Sequence, residues 1–372
     1  MGVIRLNAAE IRNTKLIDAV LRKEKAVCPG AVALIGVYGS FMTGDVHPLS
    51  DLDLLILISD SRGWQLGKAF IQEDLGIGHD IYCTDWDSLR RDAGYNDPNI
   101  AKLMDSVIVY CADEKYLSEL EALREQVRRI LAGPFCEEDY QKAESSLKEA
   151  LFCYALAMAA DTLPEARRQA GGALYHAENA VALLNKTYFR KGVRRRYEEL
   201  AAMKKRPEDL CGLIEDVTAA ETAAALKERL TRLVKALTLC FEREKRALLP
   251  AKRPPDAESL RGTYEEMFSN WHGKMRVAAE TGDRHLAFMS LGSLNEMIAD
   301  IGSDVDICRY DALSVYDPGN LEKTAEGFDA VLRSYLREYE KAGLRPAVYR
   351  DADAFTAAYL EPADETHKTD AP

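Results

Sequence analysis

Two short patterns about ten residues apart constrain this chain most: Tyr38-Gly39-Ser40, and Ser50-Asp51-Leu52-Asp53-Leu54. The run Ala31 to Val37 is apolar and ends at the first pattern, and a second run, rich in Leu and Ile, extends from Leu52 to Ile58. Both read as buried strands, so a glycine turn is followed closely by two carboxylates that open a strand. Side chains alternate across a strand, which puts Asp51 and Asp53 on one face with Cα atoms roughly 6.5–7 Å apart. Like charges that close repel, and each costs free energy to desolvate, so a fold keeps such a pair chiefly when a cation compensates it. Hard oxygen donors favour magnesium or manganese over zinc. An isolated Asp-x-Asp is also a common exposed strand start; the preceding Gly-Ser is what gives it chemical meaning. Gly39 is free to adopt a turn closed to other residues, and the Ser40 hydroxyl with neighbouring amides can donate to phosphate oxygens.

On these residues the chain resembles the DNA polymerase beta-like nucleotidyltransferase superfamily, whose pattern is a hydrophobic residue, Gly-Ser, about ten residues, then Asp-hydrophobic-Asp-hydrophobic. Gly44 and Ser50 match embellishments of its small-molecule branch, which includes the kanamycin and lincosamide nucleotidyltransferases. The resemblance implies a third carboxylate on a later strand, best matched by Asp80 in His79-Asp80-Ile81-Tyr82-Cys83-Thr84. It implies that Asp51 and Asp53 ligate metal, that Asp80 completes the site or acts as base, and that Gly39 and Ser40 hold the β- and γ-phosphates. The implied reaction is a two-metal, in-line attack of a hydroxyl on the α-phosphate, with pyrophosphate leaving. Asp85 and Asp87, close by, read instead as residues at a helix start.

At 372 residues, 47% of them apolar, the chain is long enough for two or three domains with proper cores. It holds no run of roughly 18 apolar residues and no charged-then-apolar leader, so a cytoplasmic location without membrane partners is expected. Eight cysteines are scattered without a Cys-x-x-Cys pair, and Cys153 and Cys240 fall in apolar helical stretches, which reads as reduced thiols with neither zinc nor disulfides. The net charge of −12 argues against a nucleic-acid partner, which needs a wide basic surface.

One segment runs against that charge: Lys186-Thr187-Tyr188-Phe189-Arg190-Lys191-Gly192-Val193-Arg194-Arg195-Arg196, with Lys204-Lys205-Arg206 soon after. It has two readings. The cations sit at a solvated helix end, whose dipole they complement, or Lys186, Arg190, Lys191 or an Arg of 194–196 reaches across a cleft to the triphosphate. In some enzymes of the family it resembles, a Glu of the helical part acts as base, and the resemblance makes Glu144, Glu149 and Glu178 the candidates here, each more often just a surface glutamate. His79 and His176 are isolated acid/base candidates that also read as structural histidines.

The expected fold class is α+β: a small mixed-sheet domain over residues 1–112, with a helix at 8–27 and strands near 31–38, 52–59, 80–84 and 107–110, followed by a mainly α-helical bundle region. Helical stripes such as Leu226, Leu230, Leu233, Leu237 and Phe241 fill 113–249. A Pro-rich linker at Leu249 to Pro255 leads to a second helical unit at 256–361, and the tail 362–372 reads as disordered. Three functions follow as expectations. The first is magnesium- or manganese-dependent transfer of a nucleoside monophosphate, AMP from ATP foremost, to a hydroxyl of a small molecule, an antibiotic among the candidates. The second is nucleotidylation of a protein partner, and the third a non-catalytic nucleotide-binding or interaction role.

Overall fold

The computed structural model describes residues 8–44 and 49–360. In chain order the first part holds α1 (Ala8–Val27), β1 (Val32–Val37), the single turn α2 (Ser40–Thr43), β2 (Leu54–Ile58), β3 (Lys68–Gln72), β4 (Ile77–Ile81), β5 (Cys83–Thr84), α3 (Trp86–Ala93), α4 (Ala101–Met104) and β6 (Val107–Cys111). β1 pairs antiparallel with β2, Val37 opposite Leu54, and antiparallel with β6 on its other side, while β5 runs parallel to β2. The sheet order is β5-β2-β1-β6, and β3 with β4 forms a separate antiparallel hairpin in which Ala69 faces Asp80.

Sheet alternation decides what each strand residue packs against. Leu34, Leu55 and Leu57 face Leu120, Val127 and Leu147, whereas Val32, Ile35, Ile56 and Ile58 turn to the opposite face and meet Val20 of α1. Every residue of β1 and β2 is buried, which is why both read as continuous apolar runs. Each fully buried Leu or Ile contributes about 1.5–3 kcal/mol.

The helices α5 (Glu114–Ala132), α6 (Glu137–Ala159), α7 (Leu163–Leu184), α8 (Arg196–Ala202), α9 (Leu210–Thr218) and α10 (Ala223–Leu248) follow. Their starts obey local chemistry. Thr162 and Glu165 form a reciprocal capping box on α7, Asp113 caps α5 and Thr222 caps α10. The Leu226-Leu230-Leu233-Leu237-Phe241 stripe is core, as its spacing predicts.

The chain divides into two units, Met1–Leu249 and Pro250–Pro372, so the sheet and the helices through α10 lie in one of them. The second unit holds α11 (Ala257–Leu260), α12 (Thr263–Met267), α13 (Gly273–Thr281), α14 (Arg284–Asp304), α15 (Leu321–Lys341) and α16 (Ala352–Leu360). Its core is Leu260, Met267, Met275, Leu291, Leu294, Phe328, Leu332 and Tyr335. The fold class is thus the expected one, a mixed sheet followed by helices. The expected tail 362–372 lies outside the described residues. No helix among the described residues is long and apolar enough to cross a membrane.

Candidate active site

The centre of the site is the junction between β1 and β2. The Tyr38 amide donates to the Asp53 carbonyl at 3.1 Å, which ties the end of one strand to the start of the other. Gly39 then turns with φ 72 and ψ −151, a conformation other residues rarely adopt, and α2 begins at Ser40. A Cβ on Gly39 would lie 1.9 Å from Asp53 Oδ2, so the Asp53 carboxylate rests directly on the glycine backbone. From there it accepts the Ser40 N–H.

Both carboxylates stand just ahead of β2, which starts at Leu54, where the sequence had them opening the strand. Buried Leu52 anchors the stretch between them, leaving Asp51 and Asp53 on the more open side. Burial and the neighbouring Asp51 charge push the Asp53 carboxyl up to about 6, against the pull of the Ser40 amide. Burial, with the charges of Asp53, Asp51 and Asp80, pushes the Tyr38 phenol up to about 12. Among the described residues, no cation stands with the groups that act on either of them. Such an uncompensated oxygen pair fits a divalent cation of hard character.

Asp80 reaches the same neighbourhood from a different element than expected. It sits on β4, in the hairpin, and not on a strand running from 80 to 84. It borders a cavity of about 650 Å3 together with Asp51, Ala69, Phe70, Ile71, Gly78 and His79. Among the described residues no three His, Cys, Asp or Glu side chains are grouped closely enough to hold a metal ion. The Asp51 charge acts on Asp53, and the charges of all three carboxylates, Asp80 included, act on Tyr38. His79 is buried and stacked on Phe70 with ring centroids 4.9 Å apart. Its Nε2 stands 3.1 Å from Gln72 Oε1, and burial, then the Arg12 charge, hold the imidazole below its ordinary value.

Arg12 had no motif to announce it. Its Nη2 donates to the Ser50 carbonyl at 2.9 Å, so α1 grips the backbone one residue before Asp51. The two residues are 38 apart in sequence, and no local pattern links them.

The basic segment divides in two. Lys186 Nζ donates to Asp139 Oδ2 at 2.9 Å and to the Pro134 carbonyl at 3.1 Å, in a buried pair. The cavity it borders is a different one, lined by Phe135, Tyr188, Glu199 and Lys205 among others. Arg190 lies over the Tyr188 ring at 4.7 Å, and Lys191 pairs with Glu198 at 2.8 Å. None of these three lines the cavities bordered by Asp51, Ser40 and Ser50. Arg194 and Arg195 are the ones that approach: with Gly192 and Val193 they border a cavity of about 240 Å3 whose other wall is Ser40, Leu49 and Ser50. Arg195 also engages Glu198, and Arg194 makes no ion pair among the described residues.

Two of the helical glutamates have other partners. Glu144 pairs with Lys148 and Lys245, Glu178 with Arg196 at 3.7 Å, and Glu149 is exposed. Asp85 caps α3 by accepting from Ser88 N–H at 2.8 Å, and Asp87 pairs with Arg90, as the helix-start reading had it. The His176 carbonyl accepts from Ser146, and its ring meets Tyr175 edge-on.

The glycine turn, the carboxylate pair at an antiparallel strand junction and the basic residues across the cavity from Ser40 lie together in the unit Met1–Leu249. Residues 14–130 match the family model described as Nucleotidyltransferase domain. The matched stretch runs from α1 to α5 and contains Gly39, Ser40, Asp51, Asp53 and Asp80, which supports placing this domain in the polymerase beta-like superfamily. No curated protein matches the chain.

Proposed function

We propose that this protein is a divalent-cation-dependent nucleotidyltransferase that moves a nucleoside monophosphate, AMP from ATP, onto a hydroxyl of a small molecule. The observation that carries the reading is the Asp53 carboxylate seated on Gly39 beside Asp51, with Arg194 and Arg195 across a cavity from Ser40. Asp51 and Asp53 would hold magnesium or manganese, which when bound supplies positive charge to the triphosphate. The chain's own residues do the rest. Gly39 and Ser40 give the phosphates a close backbone approach, and the basic loop offsets charge on departing pyrophosphate. The acceptor oxygen forms its bond to the α-phosphorus as the bond to the bridging oxygen breaks, and Asp80 takes the hydroxyl proton. The small-molecule branch, ATP as donor and a cytoplasmic setting belong to this proposal.

The cation census favours a small acceptor over nucleic acid. Of the segment that reads as basic, Lys186, Lys191, Arg195, Arg196 and Lys205 are engaged with Asp139, Glu198, Glu178 and Glu244, and Arg206 with backbone carbonyls. Little of it is left to follow a phosphate backbone.

The test is incubation with α-labelled nucleoside triphosphate, Mg2+ and pooled hydroxyl compounds, following pyrophosphate release and the fate of the label. Label on a small molecule, abolished in Asp51→Asn and Asp53→Asn, is the expected result. Label on a polypeptide would establish protein modification instead, and undiminished transfer in both variants would refute the site.

A further inference from the structure

The fold splits the run Arg194-Arg195-Arg196. The first two border the cavity opposite Ser40, and the third turns back into the protein, its side chain only 12% exposed. The Arg196 guanidinium lies over the Phe189 ring at 3.6 Å, and its Nη1 and Nη2 stand 3.4 and 3.3 Å from Asn99 Oδ1. Its Nε has no hydrogen-bond partner among the described residues, and the Glu178 carboxylate approaches it only to 3.7 Å. The ring and Asn99 are therefore what hold Arg196 most closely, and only a planar, forked cation serves both at once.

Phe189 and Arg196 are the two ends of one loop. Between them lie residues 190–195, with Gly192, Val193 and Arg194 exposed, so the stack of Arg196 on Phe189 closes the loop at its base. Both ends are fastened to neighbouring residues of the domain that carries the carboxylates. The Phe189 N–H donates to the Pro98 carbonyl at 3.0 Å, and Arg196 meets Asn99. Asn99 is itself oriented: its N–H and its Nδ2 donate to Asp97 Oδ1 at 2.7 and 2.8 Å, and Nδ2 also reaches Asn179 Oδ1 at 3.2 Å, which turns Oδ1 toward Arg196. The residues just before Phe189 are tied to the same domain. The Tyr95 hydroxyl donates to the Thr187 carbonyl at 2.6 Å, and the Tyr188 hydroxyl to Asp105 Oδ1 at 2.8 Å. Inside the loop, Arg190, Lys191 and Arg195 bond to Glu198 and Glu199, which brace it against the helix that Arg196 begins.

We infer that Arg196 is a positioning residue for nucleotide binding: stacked on Phe189 and held to Asn99, it fixes the base of the loop 190–195 and so sets where Arg194 and Arg195 stand opposite Ser40. This rests on the transferase reading and adds to it residues that act on the triphosphate only through others. A cation serves a phosphate only within hydrogen-bond reach, and a displacement of about 1 Å can cost up to about a hundredfold. Arg196→Lys keeps the positive charge beside Glu178 and loses the flat face and the fork, so the loop stays attached while its base is no longer clamped.

The test is a double-mutant cycle on the full chain, read by calorimetric titration with Mg2+ and the α,β-methylene analogues of ATP, CTP, GTP and UTP, the tightest of the four serving for the cycle. Arg196→Lys is introduced into the wild type and into a chain already carrying Arg194→Ala and Arg195→Ala. In the wild type it is expected to weaken the analogue about tenfold; in the chain without the two arginines it is expected to change affinity less than about twofold, because nothing is left for it to position. Phe189→Leu, which removes the ring and keeps an apolar side chain, is expected to give the same pattern and carries the test if Arg196→Lys does not fold. Undiminished affinity in the wild-type background, or an equal loss in both backgrounds, would overturn the inference, since a general loss of structure does not depend on Arg194 and Arg195. Failure of all four analogues to bind the wild type would overturn the transferase reading, and the positioning role with it.

Discussion

Asp53 shows in one residue how a site stores its function as strain. Its carboxyl, ordinarily near 3.8, stands at about 6 in the folded chain because burial and Asp51 both disfavour the charge. A carboxyl whose folded value is raised lends stability that is fully present below about 4 and is lost as pH rises through about 6. The metal-free protein should therefore weaken between those limits, and Asp53→Asn should flatten the step and gain about 1–2 kcal/mol at pH 8 once solvent screening is allowed for. Denaturant melts of both proteins at pH 4 and pH 8 check this; an Asn variant less stable at pH 8 would contradict it. Gly39→Ala should do the reverse. Its φ of 72 costs an alanine about 1 kcal/mol or more, and the new Cβ would strike Asp53 Oδ2, so both stability and metal binding should fall.

At the scale of elements, the segment from Lys186 to Glu199 is a strap held by its own acids. Glu199 accepts the amides of Arg190 and Lys191, Glu198 takes Lys191 and Arg195, and Arg196 stacks on Phe189 at 3.6 Å while reaching Asn99. Lys186→Met should cost about 2 kcal/mol or more by stripping a buried partner from Asp139, and leave nucleotide affinity alone. Arg194→Ala should leave the melt alone and weaken nucleotide binding about tenfold, the worth of one charge-assisted contact. Equilibrium titration with nucleotide, beside thermal melts, separates the two; the opposite pattern would return Lys186 to the site. Sequence could not sort these cations, because the deciding partners lie 47 residues away at Asp139 and 97 away at Asn99. What depends on neighbours alone was readable: the glycine turn, the carboxylate pair and the Asp85 cap. β3 was missed because its pattern is mostly exposed and only pairing with β4 makes it a strand. Arg12 was missed because its role is a bond to a distant backbone carbonyl.

At the scale of the whole molecule, the apolar stripes and strands were legible because burial writes them into composition and period. Which helices share a core with the sheet was not, since Leu34 and Leu147 meet only in the folded chain. Each of the two units, Met1–Leu249 and Pro250–Pro372, has its own apolar core. Calorimetry should resolve two transitions, and one cooperative transition would contradict independent units. The central claim is that Asp51 and Asp53 make a metal-nucleotide site. Its most direct test is thermal unfolding with and without Mg2+ and each nucleoside triphosphate, on the wild type and on Asp51→Asn. A bound nucleotide at a hundredfold excess over its dissociation constant should add about 2.7 kcal/mol to the wild type, only with Mg2+, and nothing to the variant; no shift with any nucleotide, or an equal shift in the variant, would contradict the claim.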